Sequence, residues 1–283
     1  MTEPVAFYRL SGAGNDFLAL VEPDRPPGAE EVRAWCRRGL SAGADGLFVL
    51  ERAGAGAVRM TYHNADGGQA SLCINGARCA ARLAFELGWA PDGGAVTVET
   101  GAGPLQARRA GPTETALEVP PPDGRPRAVE LALETRIVQG HHVTVGVPHL
   151  VVEWPEGLAE APVAALGPAL RGHPELGAAG ANVDFVRYGG DGCLEVRSYE
   201  RGVEDETLAC GTGVLAAVAA GLARGRVTLP ARALTRSGFT LAVDGLAEGP
   251  DVRRWSLTGD ARLIARGHLL PGAATLPAPP EWG

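Results

Sequence analysis

The feature that most constrains the fold of this chain is a repeated unit of loop, cysteine and helix. Placing Cys73 over Cys210 gives an offset of 137 residues, close to half of the 283-residue chain. At this offset Gly76 coincides with Gly213, and each cysteine follows a polar loop and precedes a run of small apolar residues. The repeat predicts two half-chains that fold alike, with chance similarity of two Ala/Gly-rich segments as the alternative.

The two repeated segments are also predicted to form the central helices of the fold. Ile74–Leu87 and Gly211–Ala223 are rich in alanine and nearly apolar, which is typical of helices buried in a core. A third helix, Glu30–Arg38, is amphipathic and is predicted to be exposed. Strands are predicted from β-favouring or alternating residues at Val5–Leu10, Leu47–Leu50, Ala57–Asn64, Ala95–Thr100, Leu105–Arg109, Val143–Trp154 with a turn at Gly146–Pro148, Asn182–Tyr188 and Leu194–Glu200, and within Arg226–Asp244 and Arg254–Ile264.

A Pro/Gly-rich stretch, Pro120–Pro126, is the best candidate for an internal linker. Together with the repeat it predicts an N-terminal domain of residues 1–122 and a C-terminal domain of residues 123–264. Two domains built alike suggest a cleft between them, and we expect the active site there.

Composition excludes several classes of protein. The chain has no lysine, since all 26 of its basic residues are arginine. A pyridoxal-phosphate enzyme and a class I aldolase need a lysine for their Schiff base, and a Walker-A site needs one on the phosphates. The net charge of −7 argues against a nucleic-acid binder. Five cysteines without a close CxxC pair predict neither a disulfide framework nor a metal site.

Each repeated cysteine lies where a helix is predicted to begin. Helix N-termini favour the thiolate over the thiol, and their free N–H groups form an anion site. A substrate carboxylate could therefore lie between two helix starts, with one cysteine on each side. This arrangement suits removal of a proton from one face of a carbon and its return to the other face.

Three other interpretations remain for these segments. A cysteine can be a small buried hydrophobe, which fits Cys36, Cys79 and Cys193 better than Cys73 and Cys210. A hydrolase-type cysteine nucleophile would explain only one of the two thiols. The GxGxxA pattern within 211–216 suggests dinucleotide binding, but no plain strand precedes it and no acid follows about twenty residues later.

A set of motifs in this order resembles the diaminopimelate epimerase family of cofactor-independent amino-acid epimerases and racemases. The motifs span about residues 10 to 213, and the two cysteine motifs together are highly specific. They are Gly12-Ala-Gly-Asn-Asp-Phe17, Gly43-Ala-Asp45, Asn64-Ala-Asp-Gly67, Cys73-x-Asn-Gly-x-Arg-Cys79, Pro148-His149, Asn182, Glu200-Arg-Gly202 and Glu206-Thr-Leu-Ala-Cys-Gly-Thr-Gly213.

The resemblance implies an α/β (α+β) fold of two similar domains, each a curled, mostly antiparallel sheet around a central helix. It implies a C-terminal segment of about residues 265–283 that packs back on the N-terminal domain. It also implies an isomerase that uses no cofactor and serves lysine and peptidoglycan synthesis by interconverting LL- and meso-diaminopimelate.

The resemblance further implies a two-base mechanism, in which one cysteine thiolate removes the α-proton and the other thiol protonates the opposite face. Cys73 and Cys210 match these two residues, and His149 and Glu200 match the positions that set the protonation of the thiols. The substrate-binding positions matched by the same motifs are Asn15, Asn64, Ile74, Asn75, Asn182, Glu200, Arg201, Gly211 and Thr212.

Two departures from the family pattern concern the substrate more than the reaction. Ile74 replaces the usual glycine after the first cysteine, and a β-branched residue does not readily adopt a positive φ. Val147 replaces an asparagine that is implied to bind the far end of diaminopimelate. The alternatives are therefore a cofactor-independent racemase of another amino acid, or an inactive binding paralogue.

The expected partner is a small amino-acid substrate, with no nucleic acid and no membrane. Glu3 and the lack of a long apolar core near it argue against a signal peptide. The odd number of cysteines without a close CxxC pair indicates a reducing cytoplasm. The oligomeric state is left open, with a homodimer among the alternatives.

Overall fold

The computed structural model describes residues 3–90, 94–248 and 251–276. The chain forms a mixed α/β structure that divides into two compact units, Met1–Thr115 with Ala261–Gly283, and Ala116–Asp260. Of the predicted C-terminal segment, residues 277–283 lie outside the described residues. Within the described ranges no helix is long and apolar enough to cross a membrane.

The helices and strands have the following bounds. The helices are α1 Ala29–Cys36, α2 Ile74–Glu86, α3 Val163–Arg171 and α4 Gly211–Ala223. The strands are β1 Val5–Gly12, β2 Asn15–Val21, β3 Gly46–Gly54, β4 Ala57–Asn64, β5 Gln69–Ala70, β6 Val96–Thr100, β7 Gly103–Arg109, β8 Glu114–Val119, β9 Asp123–Ala132, β10 Ile137–Val145, β11 Val147–Glu153, β12 Asn182–Tyr188, β13 Cys193–Glu200, β14 Asp205–Thr207, β15 Ala231–Thr235, β16 Thr240–Glu248, β17 Asp251–Asp260 and β18 Arg262–Leu269.

In the first unit a sheet curls around α2. β1 pairs antiparallel with β18 and β2, β2 pairs parallel with β3, and β3 pairs antiparallel with β4. β4 then pairs antiparallel with β5 and parallel with β6, which pairs antiparallel with β7. Helix α2 packs against β18 and β1 at one edge of the sheet and against β6 and β7 at the opposite edge. The sheet therefore wraps around the helix.

The second unit repeats this pairing pattern around α4. β10 pairs antiparallel with β9 and β11, β11 pairs parallel with β12, and β12 pairs antiparallel with β13. β13 pairs antiparallel with β14 and parallel with β15, and β16 pairs antiparallel with β15 and β17. α4 packs against strands from β9 to β16. The predicted fold class, mostly antiparallel sheets around central helices in two similar halves, is confirmed.

Both central helices are buried by the apolar residues that predicted them. Ten of the thirteen residues of α2 are buried, and so are ten of the thirteen residues of α4. Both helices begin directly after their cysteine, so the 137-residue offset of the sequence repeat is also the offset between the two helix starts.

Several elements differ from the sequence-based expectation. Strands β2, β5, β8, β9 and β14, most of β10 and helix α3 were not predicted. Helix α3 carries Gly167 and Pro168 in its interior, where both residues normally disfavour a helix. The predicted linker Pro120–Pro126 is wrong from Asp123 onward, because β9 begins there and pairs with β10. Pro126 is tolerated in β9 because it lies at the irregularity between Asp123 and Arg127, where the register with β10 shifts.

Candidate active site

The two repeated cysteines are the N-cap residues of the two central helices. Cys73 Sγ accepts a hydrogen bond from the N–H of Gly76 at 3.4 Å, and Cys210 Sγ accepts one from Gly213 at 3.4 Å. Each sulfur therefore takes the place of the oxygen with which serine or aspartate usually caps a helix. The repeat thus places one thiol on the positive end of one helix dipole in each unit.

In the first unit a chain of hydrogen bonds fixes the two asparagines near the start of α2. Asn75 Nδ2 donates to Asn15 Oδ1 at 2.6 Å, and Asn15 Nδ2 donates to Asp45 Oδ2 at 2.9 Å. At the other end, Nη2 of the fully buried Arg78 donates to Asn75 Oδ1 at 2.9 Å. The motif residues Asn15, Asp45 and Asn75 therefore belong to one network, which sets the orientation of each amide.

Asp45 is held in this network by a charged cluster. Arg38 bonds Asp45 Oδ1 at 2.7 Å and also pairs with Asp16, which pairs in turn with Arg9. Burial alone would raise the pKa of Asp16, but Arg38 and Arg9 hold it below its usual value. The Asp16 carboxylate is therefore charged, and its ion pairs with Arg38 and Arg9 fix it in place.

Two further candidates in this unit occupy different environments. Asn64 is exposed at the end of β4, where its carbonyl accepts from the N–H of Gly67, which has a φ of 85°. Within the described part of the chain its side chain makes no hydrogen bond to the other candidates. Ile74 is buried as the first residue of α2 and is not among the residues with positive φ. The strain that a β-branched residue would meet there does not arise.

In the second unit Glu200 and Cys210 influence each other's pKa. The hydroxyl of Thr207 donates to Glu200 Oε1. Burial raises the pKa of Glu200 above its usual value, and the charge of Asp184 adds to the effect. Cys210 also lies 3.4 Å from the hydroxyl of Thr212.

The protonation of Cys210 differs from what its helix start suggested. Burial first, and then the negative charges of Glu200 and Asp184, raise the pKa of the Cys210 thiol well above its usual value. The hydrogen bonds from Thr212 and from the N–H of Gly213 lower it but do not reverse the sign. The expectation that the helix dipole favours the thiolate is therefore wrong for this cysteine, because desolvation and two carboxylates outweigh it.

Asn182 and Arg201 are brought together at the start of β12. Asn182 is buried, and its Oδ1 accepts a hydrogen bond from the backbone N–H of Arg201 at 2.8 Å. Arg201 Nη1 lies 3.3 Å from the carbonyl of Ala179. These contacts hold the Arg201 segment, directly after Glu200, against β12.

His149 lies in a buried polar cluster that includes one residue that sequence reasoning missed. His149 Nδ1 is 2.7 Å from Asp184 Oδ2, and both side chains are fully buried. Asp184 lies two residues after Asn182 on β12, so the two side chains share one face of the strand. The first five residues of β12 are all buried. An acidic residue inside a run of buried strand positions is the signal that could have identified Asp184.

Val147 is the first residue of β11 and is half-buried. It pairs with Val145 across Gly146, which has a φ of 68°. The apolar side chain is therefore part of the tight turn that precedes Pro148 and His149.

The sequence profile of diaminopimelate epimerases matches residues 7–118 and 141–248. The diaminopimelate epimerase of Chlorobaculum tepidum is 38% identical over 267 residues, covering 92% of this chain and 99% of the relative. That of Aquifex aeolicus is 35% identical over 277 residues, covering 93% and 97%.

Solved structures with little sequence similarity share the fold. A probable proline racemase from Agrobacterium radiobacter has a TM-score of 0.71 at 18% identity, with 97% of this chain and 96% of that chain covered. A protein of the phenazine biosynthesis PhzF family from Enterococcus faecalis has a TM-score of 0.70 at 15% identity, with 95% and 100% covered.

Proposed function

The chain belongs to the diaminopimelate epimerase family, and from that premise we propose that it interconverts LL- and meso-diaminopimelate in lysine and peptidoglycan synthesis. The observation that carries the proposal is the pair of cysteines that cap equivalent helices in the two repeats. The identity of 38% with a diaminopimelate epimerase along almost the whole chain supports the same substrate.

The proposed reaction is a proton exchange without oxidation or reduction. One thiolate takes the α-hydrogen as a proton, and the electron pair of the broken C–H bond stays on the α-carbon. The opposite thiol then delivers its proton to the other face, which inverts the centre and leaves the two thiols with exchanged protonation. The next turnover in the same direction needs both protons to be reset.

We assign the proton-donating role in the resting enzyme to Cys210. Its pKa is raised by burial and by Glu200, so it is a thiol near neutral pH and can deliver a proton. The basic role then falls to Cys73, which is half-buried and capped by the N–H of Gly76.

The remaining candidates are assigned to substrate binding. Backbone N–H groups at the starts of both helices would hold the carboxylate on which charge builds during proton removal. Each such preorganised donor is worth roughly 3–4 kcal/mol in the transition state. The helix-start positions are Ile74, Asn75, Gly211 and Thr212, and the proposed side-chain contacts are Asn15, Asn64, Asn182, Glu200 and Arg201, with His149 acting on thiol protonation.

The test of the substrate is incubation in D2O with LL-diaminopimelate beside a panel of other amino acids, including proline and histidine. We expect α-deuteration and formation of the meso form with diaminopimelate. Val147, which is apolar where the family has a polar residue, is the feature that favours a different side chain. If proline or histidine exchanged its α-hydrogen for deuterium and diaminopimelate did not, diaminopimelate would be ruled out as the substrate.

We place the reaction in a reducing compartment, the cytoplasm, because it needs both thiols reduced. All five cysteines of the structure are free. We further propose that the two compact units are the two epimerase domains, and that the chain works on its small substrate as a monomer or a homodimer. Size-exclusion chromatography with light scattering distinguishes these two states.

Glu200→Gln is expected to move the basic limb of the kcat profile to lower pH, by about one pH unit. Cys210 must be protonated to act as the acid, and the negative charge of Glu200 opposes its ionisation. Removing that charge lowers the pKa of Cys210, so the thiol ionises, and loses its role as the acid, at a lower pH. The measurement is kcat against pH, together with thiolate absorbance relative to a matching Cys210→Ala protein.

Glu195→Gln provides the matched control, because Glu195 is on the same strand but pairs with Arg187. Glu195→Gln should leave the basic limb of the kcat profile at the same pH as in the unaltered protein. A limb that stays fixed or moves to higher pH in Glu200→Gln would contradict the assignment of Cys210.

A further inference from the structure

Three neighbouring strands of the second unit bring His149, Asp184 and Ser198 together. His149 is on β11, which pairs with β12, and Asp184 on β12 is directly opposite Ser198 on β13. Ser198 Oγ donates to Asp184 Oδ1 at 2.6 Å, while Asp184 Oδ2 lies 2.7 Å from His149 Nδ1. All three side chains are buried, so the cluster is shielded from water.

The hydrogen bonds determine which nitrogen of His149 carries the proton. A carboxylate only accepts hydrogen bonds, so Nδ1 must donate to Asp184. In the neutral ring Nε2 then keeps its lone pair. This Nε2 is buried and makes no hydrogen bond within the described part of the chain. A buried nitrogen without a partner is costly in a purely structural role, which points to a proton acceptor.

The start of α4 stabilises the charge on Asp184. Gly213 is the third residue of this helix, and a Cβ at this position would overlap Asp184 Oδ1 and lie 2.9 Å from its Cγ. The carboxylate therefore lies against the first helical turn, which Cys210 caps. The positive end of a helix dipole favours an anion there. Asp184 thus contacts both His149 and the turn that holds the thiol.

We propose that Asp184 is a positioning residue for the epimerase reaction, fixing His149 with its hydrogen on Nδ1 so that Nε2 takes up the proton of a catalytic thiol and returns it between turnovers. This inference rests on the proposed function. When Nε2 accepts a proton the ring becomes an imidazolium, and the Asp184 carboxylate stabilises that cation. When Nε2 releases the proton, the neutral ring with its hydrogen on Nδ1 is restored.

Asp184→Asn is expected to lower kcat by at least about 100-fold, because an amide can donate to Nδ1 and stabilise the wrong tautomer. KM should stay within about threefold, since Asp184 is not assigned to the substrate. Asp244→Asn is the matched control: it makes the same carboxylate-to-amide change at an exposed position of β16 in the same unit. It should leave both constants unchanged.

The decisive readout is NMR of the protein with 15N-labelled histidine, with the signals of His149 assigned by their loss in His149→Gln. We expect a hydrogen on Nδ1 of His149 in the unaltered protein and its loss or transfer to Nε2 in Asp184→Asn. A hydrogen on Nε2 with none on Nδ1 in the unaltered protein would overturn the inference even if Asp184→Asn failed to fold.

The two proposals can fail separately. An unaltered protein with the Nδ1 tautomer but no α-deuteration of any amino acid would remove the proposed function. An active epimerase in which Asp184→Asn keeps both its tautomer and its kcat would remove only the role of Asp184.

Discussion

Replacing either Cys73 or Cys210 with alanine is expected to lower epimerisation by about 10⁴-fold or more, since each thiol is the only proton carrier proposed for its face of the α-carbon. Each sulfur caps its helix through one long hydrogen bond, so its loss should cost only about 1 kcal/mol of stability. The measurement is the rate of interconversion of LL- and meso-diaminopimelate, with circular dichroism to verify the fold.

Isotope exchange makes this expectation more specific than loss of activity. With one thiol left, a proton can leave and return on the same face, so a single-cysteine variant should exchange the α-hydrogen of one stereoisomer in D2O without inverting it. Cys73→Ala and Cys210→Ala should act on opposite stereoisomers. Cys193→Ala, at an exposed position of β13, is the control and should retain full activity. Inversion by either single-cysteine variant would rule out the two-base scheme.

The parts of the fold that could be predicted from the sequence are those in which local pattern and burial agree. The start of α2 at Ile74 and both bounds of α4 follow from an apolar run bounded by a cysteine and a glycine turn. Strands β4 and β12 likewise coincide with their predicted ranges. In these segments no tertiary contact opposes the local preference.

The segments that could not be predicted are those in which tertiary contacts override the local preference. Helix α3 includes Gly167, and a Cβ there would lie within 3 Å of the Tyr199 side chain. The glycine that disfavours the helix is therefore needed for its close packing on β13. In β9, pairing with β10 overrides a Pro/Gly-rich start. Tyr199 is 32 residues from Gly167, and β9 depends on its pairing with the strand that follows it, so neither effect is visible in the local pattern.

The candidate site shows the same division between what is local and what is not. The positions of Cys73 and Cys210 at helix starts are local features, and the repeat predicted them. The raised pKa of Cys210 depends first on its burial and then on Glu200 and Asp184, which come from β13 and β12. Sequence spacing carries no information on burial or on the carboxylates that tertiary structure brings close, so the sequence left open which of the two thiols rests as thiolate.

Asp184 also breaks the symmetry of the repeat, and a matched pair of glycines should reveal it. Gly213→Ala is expected to destabilise the protein by about 3 kcal/mol, since the new methyl group overlaps the buried Asp184 carboxylate. The added carbon would also lie 3.0 Å from Ser198 Oγ, so the carboxylate has little room to move away. Any displacement must also disturb the hydrogen bond to His149.

Gly76 is at the same position of the first repeat, three residues after its cysteine. A Cβ there would meet Cys73 Sγ at 3.4 Å and a ring carbon of Phe17 at 3.8 Å, which are ordinary contacts. Gly76→Ala should therefore be neutral or stabilising by up to about 1 kcal/mol, because alanine favours a helix over glycine. Thermal unfolding of the two variants beside the unaltered protein measures the difference. Equal melting temperatures for Gly213→Ala and Gly76→Ala would mean that no carboxylate lies against α4, and the argument for Asp184 would lose its steric basis.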